Sequence, residues 1–186
     1  MIYTPKIQHA IKFANQVHRG QIRKGKPDEA YFLHPLSVGL ILARVGGTED
    51  QIVAGILHDT IEDCEPYGSI TKELIEKEFG SDVARMVNDV TEQDKLLPWA
   101  ERKKMALDHM KNMQEDSLLI KSADVLQNLS DLVSDFEKDG DKAYANFNAT
   151  KEQVIQRFVN LETELRRIHS HNPLLPEISE KVSQIS

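Results

Sequence analysis

Residues 55–63 read Gly-Ile-Leu-His-Asp-Thr-Ile-Glu-Asp (GILHDTIED), an apolar opening suited to a packed helix followed by four ionisable side chains within six residues. The start belongs in a core and the end does not, so the stretch predicts a buried helix that delivers a chemical cluster at its far end. In a helix, His58 and Glu62, and Asp59 and Asp63, stand one turn apart, with Asp59 and Glu62 three apart. Three carboxylates so close repel unless a cation or solvent compensates them. Imidazole with carboxylate suits a divalent transition metal such as manganese, iron or zinc. Adjacent His58 and Asp59 can both reach one ion only from a helix end or edge, and they cannot fill its coordination shell alone.

Outward from this stretch nearly every segment has apolar residues recurring at three and four, with no run of alternating strand pattern. Pro5 opens a first helix to about His18. A polar, basic connection, HRGQIRKGKPDEAYFL, follows, and a second helix runs from about His34-Pro35 to Gly46-Gly47. Thr48 and Gln51 have capping-box spacing and start the helix that carries the opening stretch. Pro66, Tyr67 and Gly68 break the chain after it. Ser69 to Phe79 reads as a short helix stopped by Gly80, and Ser81 as the cap of the next. Pro98 opens another to about Met113. Asp116 or Ser117 is the expected cap of LLIKSADVLQNLSDLV, and a last helix is expected from about Asp141 to Ile168, with Pro173 and Pro176 loosening the tail. The expectation is one all-α domain over 1–186, a helical bundle of about eight to ten helices with its core over 5–168 and a loose tail over 172–186.

At 186 residues the chain can bury a core without disulfides or structural metal. Cys64 is its one cysteine, which fits a reducing, cytoplasmic compartment. There is no basic apolar leader and no apolar run approaching about 18 residues, against secretion and membrane insertion. The net charge of −7 gives no overall attraction to nucleic acid or anionic lipid. An anionic ligand would need a local basic patch or a metal.

Two further residues have the character of ligands. His34, in YFLHP, can project from the first turn of the second helix. Asp124, in KSADVLQNL, interrupts an apolar helix face, where a carboxylate is expensive to bury unless paired or bound to metal. With His58 and Asp59 they would offer two nitrogens and two oxygens, leaving positions for water and substrate.

His34, the His58-Asp59 pair and Asp124 match the H…HD…D signature of the HD phosphohydrolase superfamily. The blocks AYFLHPLSV, GILHDTIED, FGSDVARMVNDVTE, LPWAERKK and KSADVLQNLSDL, in this order, resemble the hydrolase domain of RelA/SpoT homologues, and especially the stand-alone small alarmone hydrolases. The resemblance runs from about residue 5 to 165. It implies an HD-domain bundle in which the four ligands hold manganese, another divalent metal being compatible. It also implies that Glu62 and Asp63 form the catalytic acidic pair for water attack on the 3′-pyrophosphate of a guanosine alarmone. Arg23 and Lys24 would then contact substrate phosphates, with Tyr31 and Asn128 also on the substrate. No synthetase domain follows, so the expectation is degradation of an alarmone without synthesis.

Val125 and Gln127 stand where relatives commonly carry lysine and tyrosine, and Trp99 where a close relative has lysine. These departures bear on nucleotide recognition and spare the ligands. Within the enzyme class the alternative is hydrolysis of another nucleotide, such as an adenosine alarmone or NADPH. Outside it, the alternative is a non-catalytic nucleotide-sensing module. The partner expected in each case is a small nucleotide, with homo-oligomerisation left open. His18 reads as a structural histidine tying down the basic connection, Cys64 as a small filler, and Tyr144 and Phe147 as core aromatics.

Overall fold

Threonines cap four of the helices among the described residues. A threonine hydroxyl just outside a helix accepts from a first-turn N–H that has no partner within the helix. Thr4 accepts from Ile7 N–H at 3.2 Å and Thr71 from Leu74 N–H at 3.3 Å. Thr48 with Gln51 and Thr150 with Gln153 each close a reciprocal capping box. The computed structural model describes residues 3–63, 70–92 and 97–185, which are helical with no strand among them. An isolated antiparallel bridge joins Ile22 to Ala30.

The chain groups into two compact units, Met1–Gln93 and Asp94–Ser186. The first holds α1 (Pro5–Val17), α2 (Leu33–Arg44), α3 (Glu49–Leu57), α4 (Thr60–Asp63), α5 (Lys72–Phe79) and α6 (Ser81–Val90). Helix α3 is its centre. Every residue from Ile52 to Leu57 is buried, and α3 packs against α1, α2 and α6. Each large apolar side chain buried there stabilises the fold by roughly 1.5–3 kcal/mol.

Glycine sets the approach of α2 to α3. A Cβ on Gly55 would collide with Leu42 Cδ1, and one on Gly39 would come within 2.5 Å of Ile56 Cγ1. Neither position has room for a side chain without repacking, so the two helices run close enough for histidines at their ends to meet.

The second unit holds α7 (Trp99–His109), α8 (Glu115–Asp139), α9 (Lys151–Ile168) and α10 (Leu175–Ile185), with 3₁₀ turns at Met110–Asn112 and Gly140–Asn146. The 25-residue α8 packs against α9 and α10. Tyr144 is buried and its hydroxyl donates to the Ile185 carbonyl at 3.1 Å, in keeping with a core aromatic.

Several sequence expectations shift. Ser81 is the first residue of α6 and forms no side-chain cap. The cap position is Gly80, whose φ of 95° suits glycine. Helix α8 starts at Glu115 behind Gln114, which places Asp116 in the first turn, where a carboxylate meets the helix dipole. The last long helix starts at Lys151 instead of Asp141, because the Thr150 capping box outcompetes continuation from the 3₁₀ turn. Residues 172–186, expected as a loose tail, carry α10, with Leu175, Ile178, Val182 and Ile185 buried. Pro176 sits in the first turn of that helix, where proline is tolerated. Helix α5 begins after Thr71, whereas the Ser69 start, Cys64 and the Pro66-Tyr67-Gly68 break lie outside the described residues.

Candidate metal centre

Helix α3 ends at Leu57, and His58 and Asp59 occupy the turn before α4. The helical spacing expected through Asp63 is therefore interrupted. The interruption is useful, because a turn lets two consecutive side chains point to one place, which a straight helix forbids. It is secured by the buried Thr60, whose hydroxyl donates to the Leu57 carbonyl at 2.6 Å.

His34 lies in the first turn of α2. Its Nε2 stands 3.2 Å from His58 Nε2 and 3.4 Å from Asp59 Oδ2, and His58 Nε2 stands 3.2 Å from the same oxygen. Among the described residues this is the one His/Cys/Asp/Glu group able to converge on an ion. Donors bound to one transition ion at about 2.1 Å, at tetrahedral or octahedral angles, stand about 3.0–3.4 Å apart. The triangle has that size, so the residues fit a divalent metal.

The electrostatics agree. His58 Nδ1–H donates to the Gly55 carbonyl at 2.8 Å, which turns Nε2 inward, to donate toward Asp59 while the ring is charged and to offer its lone pair to an ion when the ring is neutral. Burial alone would raise the Asp59 pKa. The charge of His58 and hydrogen bonds from His34 and His58 outweigh it, and the carboxyl is held well below the usual carboxylate range. Both histidines are buried and Asp59 is partly exposed.

Tyr31 donates its hydroxyl to Asp59 Oδ2 at 2.6 Å. The resemblance places Tyr31 on the substrate; the structure adds a hydrogen bond to the Asp59 carboxylate. Arg23 lies over the Tyr31 ring, its Cζ 5.7 Å from the centroid. The connection carrying Arg23 and Lys24 is tied down by Arg23 N–H to the Glu29 carbonyl and Tyr31 N–H to the Gln21 carbonyl, each 2.9 Å. Gly25 takes φ 82° at its turn. His18 is buried, its Nδ1 2.7 Å from Gln21 Oε1, the structural role the sequence suggested.

Glu62 is half-buried, and its Oε2 accepts the Glu92 N–H at 3.0 Å. This anchor from the end of α6 fixes one oxygen of the expected acidic pair. Asp63 closes α4, and its side chain lies outside the described residues.

In the second unit Asp124 is buried on α8. Lys121 donates to its Oδ2 at 2.9 Å. Asn128 donates from one Nδ2 to Asp124 Oδ1 at 2.5 Å and to its backbone carbonyl at 3.0 Å. Lys121 was not singled out from the sequence, although a lysine three residues before an aspartate on an apolar face was the available signal. Val125 is a core residue, which accounts for an apolar side chain there.

An all-α fold whose buried helix ends in a paired His-Asp, met by a histidine from the neighbouring helix, defines a class. The HD domain family matches residues 10–155, a span that runs through both units. The chain belongs to the HD domain family and, within it, to the family of the MESH1 guanosine-3′,5′-bis(diphosphate) 3′-pyrophosphohydrolases. It is 42% identical to the MESH1 protein of Xenopus tropicalis over 128 residues, 68% of this chain and 69% of that one. It is 38% identical to human MESH1 over 129 residues, again 68% and 69%. A solved metazoan orthologue of SpoT, described as hydrolysing ppGpp, superimposes with a TM-score of 0.79 at 29% identity, covering 98% of this chain and 96% of that one.

Proposed function

We propose that this chain is a metal-dependent pyrophosphohydrolase that removes the 3′-pyrophosphate of guanosine alarmones, converting ppGpp and water to GDP and pyrophosphate. The observation that carries the reading is the 3.2–3.4 Å triangle of His34 Nε2, His58 Nε2 and Asp59 Oδ2. It stands in a chain whose relatives are named for that reaction. Manganese is the proposed ion, and the resemblance makes Asp124 the fourth ligand. When bound, a divalent cation supplies positive charge against phosphate oxygens and acidifies water.

The chain's own residues do the rest. Glu62, oriented by the Glu92 N–H, and Asp63 are the proposed general-base pair that positions the attacking water and takes its proton. Arg23 and Lys24 are proposed to meet the substrate phosphates, their connection held by backbone hydrogen bonds before any ligand arrives, which lowers the entropy lost on binding. Tyr31 bridges this connection to the centre through Asp59. Asn128 is proposed to add a polar contact to the nucleotide.

No helix among the described residues is long and apolar enough to cross a membrane. A nucleotide substrate and a single cysteine support a cytoplasmic location. The test is incubation of the pure protein with manganese and, separately, ppGpp, its adenosine counterpart, GTP, ATP and NADPH, with products resolved by anion exchange. Intact pyrophosphate and GDP from ppGpp at the highest kcat/KM is expected. Preference for an adenosine alarmone or NADPH would move the substrate assignment, and no turnover of any would leave a sensing module.

A further inference from the structure

Lys121 and Asp124 are each only 8% exposed, one turn apart on α8 among Leu118, Ile120, Ala123, Val125 and Leu126, all buried. A lysine ammonium is among the groups least often buried, and burying it without a partner is expensive. Here it lies 2.9 Å from Asp124 Oδ2, while Asn128 takes Oδ1. Both oxygens of the carboxylate assigned as the fourth ligand are engaged by donors from its own helix. A metal arriving at that carboxylate meets a cation already in place.

We propose that Lys121 is a positioning residue, a built-in counter-cation that holds and neutralises Asp124 in the metal-free protein and is displaced from Oδ2 when the ion binds. The inference rests on the reading of Asp124 as a ligand. Without metal, Lys121 supplies the positive charge opposite a buried carboxylate. With metal, its charge opposes the ion at close range, where a like charge at low effective dielectric is felt strongly. Metal binding thus exchanges one cation for another on one oxygen, and Lys121 trades some metal affinity for a folded, ready apo state. A lysine that only stabilised the helix would instead weaken fold and metal binding together when removed.

The experiment titrates Mn(II) alone into the full chain, with free ion read by electron paramagnetic resonance and unfolding temperatures taken with and without manganese. Three variants are compared with the wild type: Lys121→Met, Lys121→Arg and Asp124→Ala. Lys121→Met keeps an unbranched chain, one atom shorter, while removing the charge. It should lower the metal-free unfolding temperature, tighten manganese binding about tenfold, and so enlarge the temperature rise that manganese gives. Lys121→Arg, with the charge kept, should return affinity toward wild type. A Lys121→Met chain that folds only on addition of manganese also supports the proposal, because the ion then replaces the lysine. Manganese affinity in Lys121→Met equal to or weaker than wild type would overturn it, as would a chain unfolded with and without the ion. Asp124→Ala separates the two readings. Unchanged affinity there removes Asp124 from the ligand set, whereas weakened affinity beside an unaltered Lys121→Met removes only the role of Lys121.

Discussion

Asp59 and Asp124 are two carboxylates with the same proposed task, and the chain compensates them in opposite ways. Asp59 sits in a turn and is balanced by two imidazoles and a tyrosine hydroxyl. His34 and Tyr31 come from 25 and 28 residues upstream in the chain, brought in by the glycine-permitted packing of α2 on α3. Asp124 sits mid-helix and is balanced by Lys121 and Asn128 from its own turns. The first arrangement is tertiary and built from groups that can be neutral near pH 7. The second is local and built around a permanent positive charge. Imidazole nitrogens can serve as metal donors, whereas an ammonium cannot. The surroundings of Asp59 thus suit a metal, and those of Asp124 balance its charge without one.

The largest effect expected from breaking this arrangement lies beside Asp59. Glu62→Gln combined with Asp63→Asn keeps volume and removes charge from groups proposed to act on water and not on the ion. Turnover should fall by about two or more orders of magnitude, with manganese still bound by equilibrium dialysis. Loss of metal together with activity would make the pair ligands, and turnover near wild type would end their assignment as bases.

Stability separates the two carboxylates next. In metal-free protein, Asp124→Ala leaves Lys121 buried without its Asp124 carboxylate, and breaking a buried pair costs about 3 kcal/mol or more. Asp59→Ala removes hydrogen bonds to imidazoles and a tyrosine hydroxyl and leaves no buried ammonium behind, so its cost should be smaller, within about 1–2 kcal/mol. Denaturant unfolding of both variants after chelation checks the order. An Asp59→Ala protein less stable than Asp124→Ala would contradict the contrast.

The smallest effect expected is on binding alone. Arg23→Ala with Lys24→Ala should raise KM about tenfold at low salt and less at high salt, because partly exposed charges act on an anionic substrate through screened attraction. Steady-state kinetics at two ionic strengths measure it. An unchanged KM would return both residues to the role of an ordinary basic loop.

The sequence was legible where its signals are local. Thr48 with Gln51 announces a helix start within four residues, and an apolar run ending in His58-Asp59 announces a helix end that carries candidate metal ligands. Less legible was the exact stop of α3, because a turn at 58–59 and a continuing helix share the same apolar pattern until the packing of α2 is known. In the sequence alone, Pro173 and Pro176 signal the breaking of a tail. Proline in a first turn instead helps to start α10, and only the burial of Ile178, Val182 and Ile185 distinguishes the two. The partnership of Lys121 with Asp124 depends on the lysine being buried, which tertiary packing decides and spacing does not. The same holds for Tyr31, whose hydroxyl finds Asp59 through the folded connection.

Everything proposed for this chain turns on His34, His58 and Asp59 holding the ion on which hydrolysis depends. The most direct test is a manganese titration, read as free Mn(II) by electron paramagnetic resonance, on wild type and Asp59→Ala, with ppGpp turnover measured on the same samples. The expected result is one tightly held ion per wild-type chain, affinity weakened by at least about two orders of magnitude in Asp59→Ala, and turnover lost in step with the metal. An Asp59→Ala protein that still carries its ion at wild-type affinity, or that hydrolyses ppGpp without one, would contradict it.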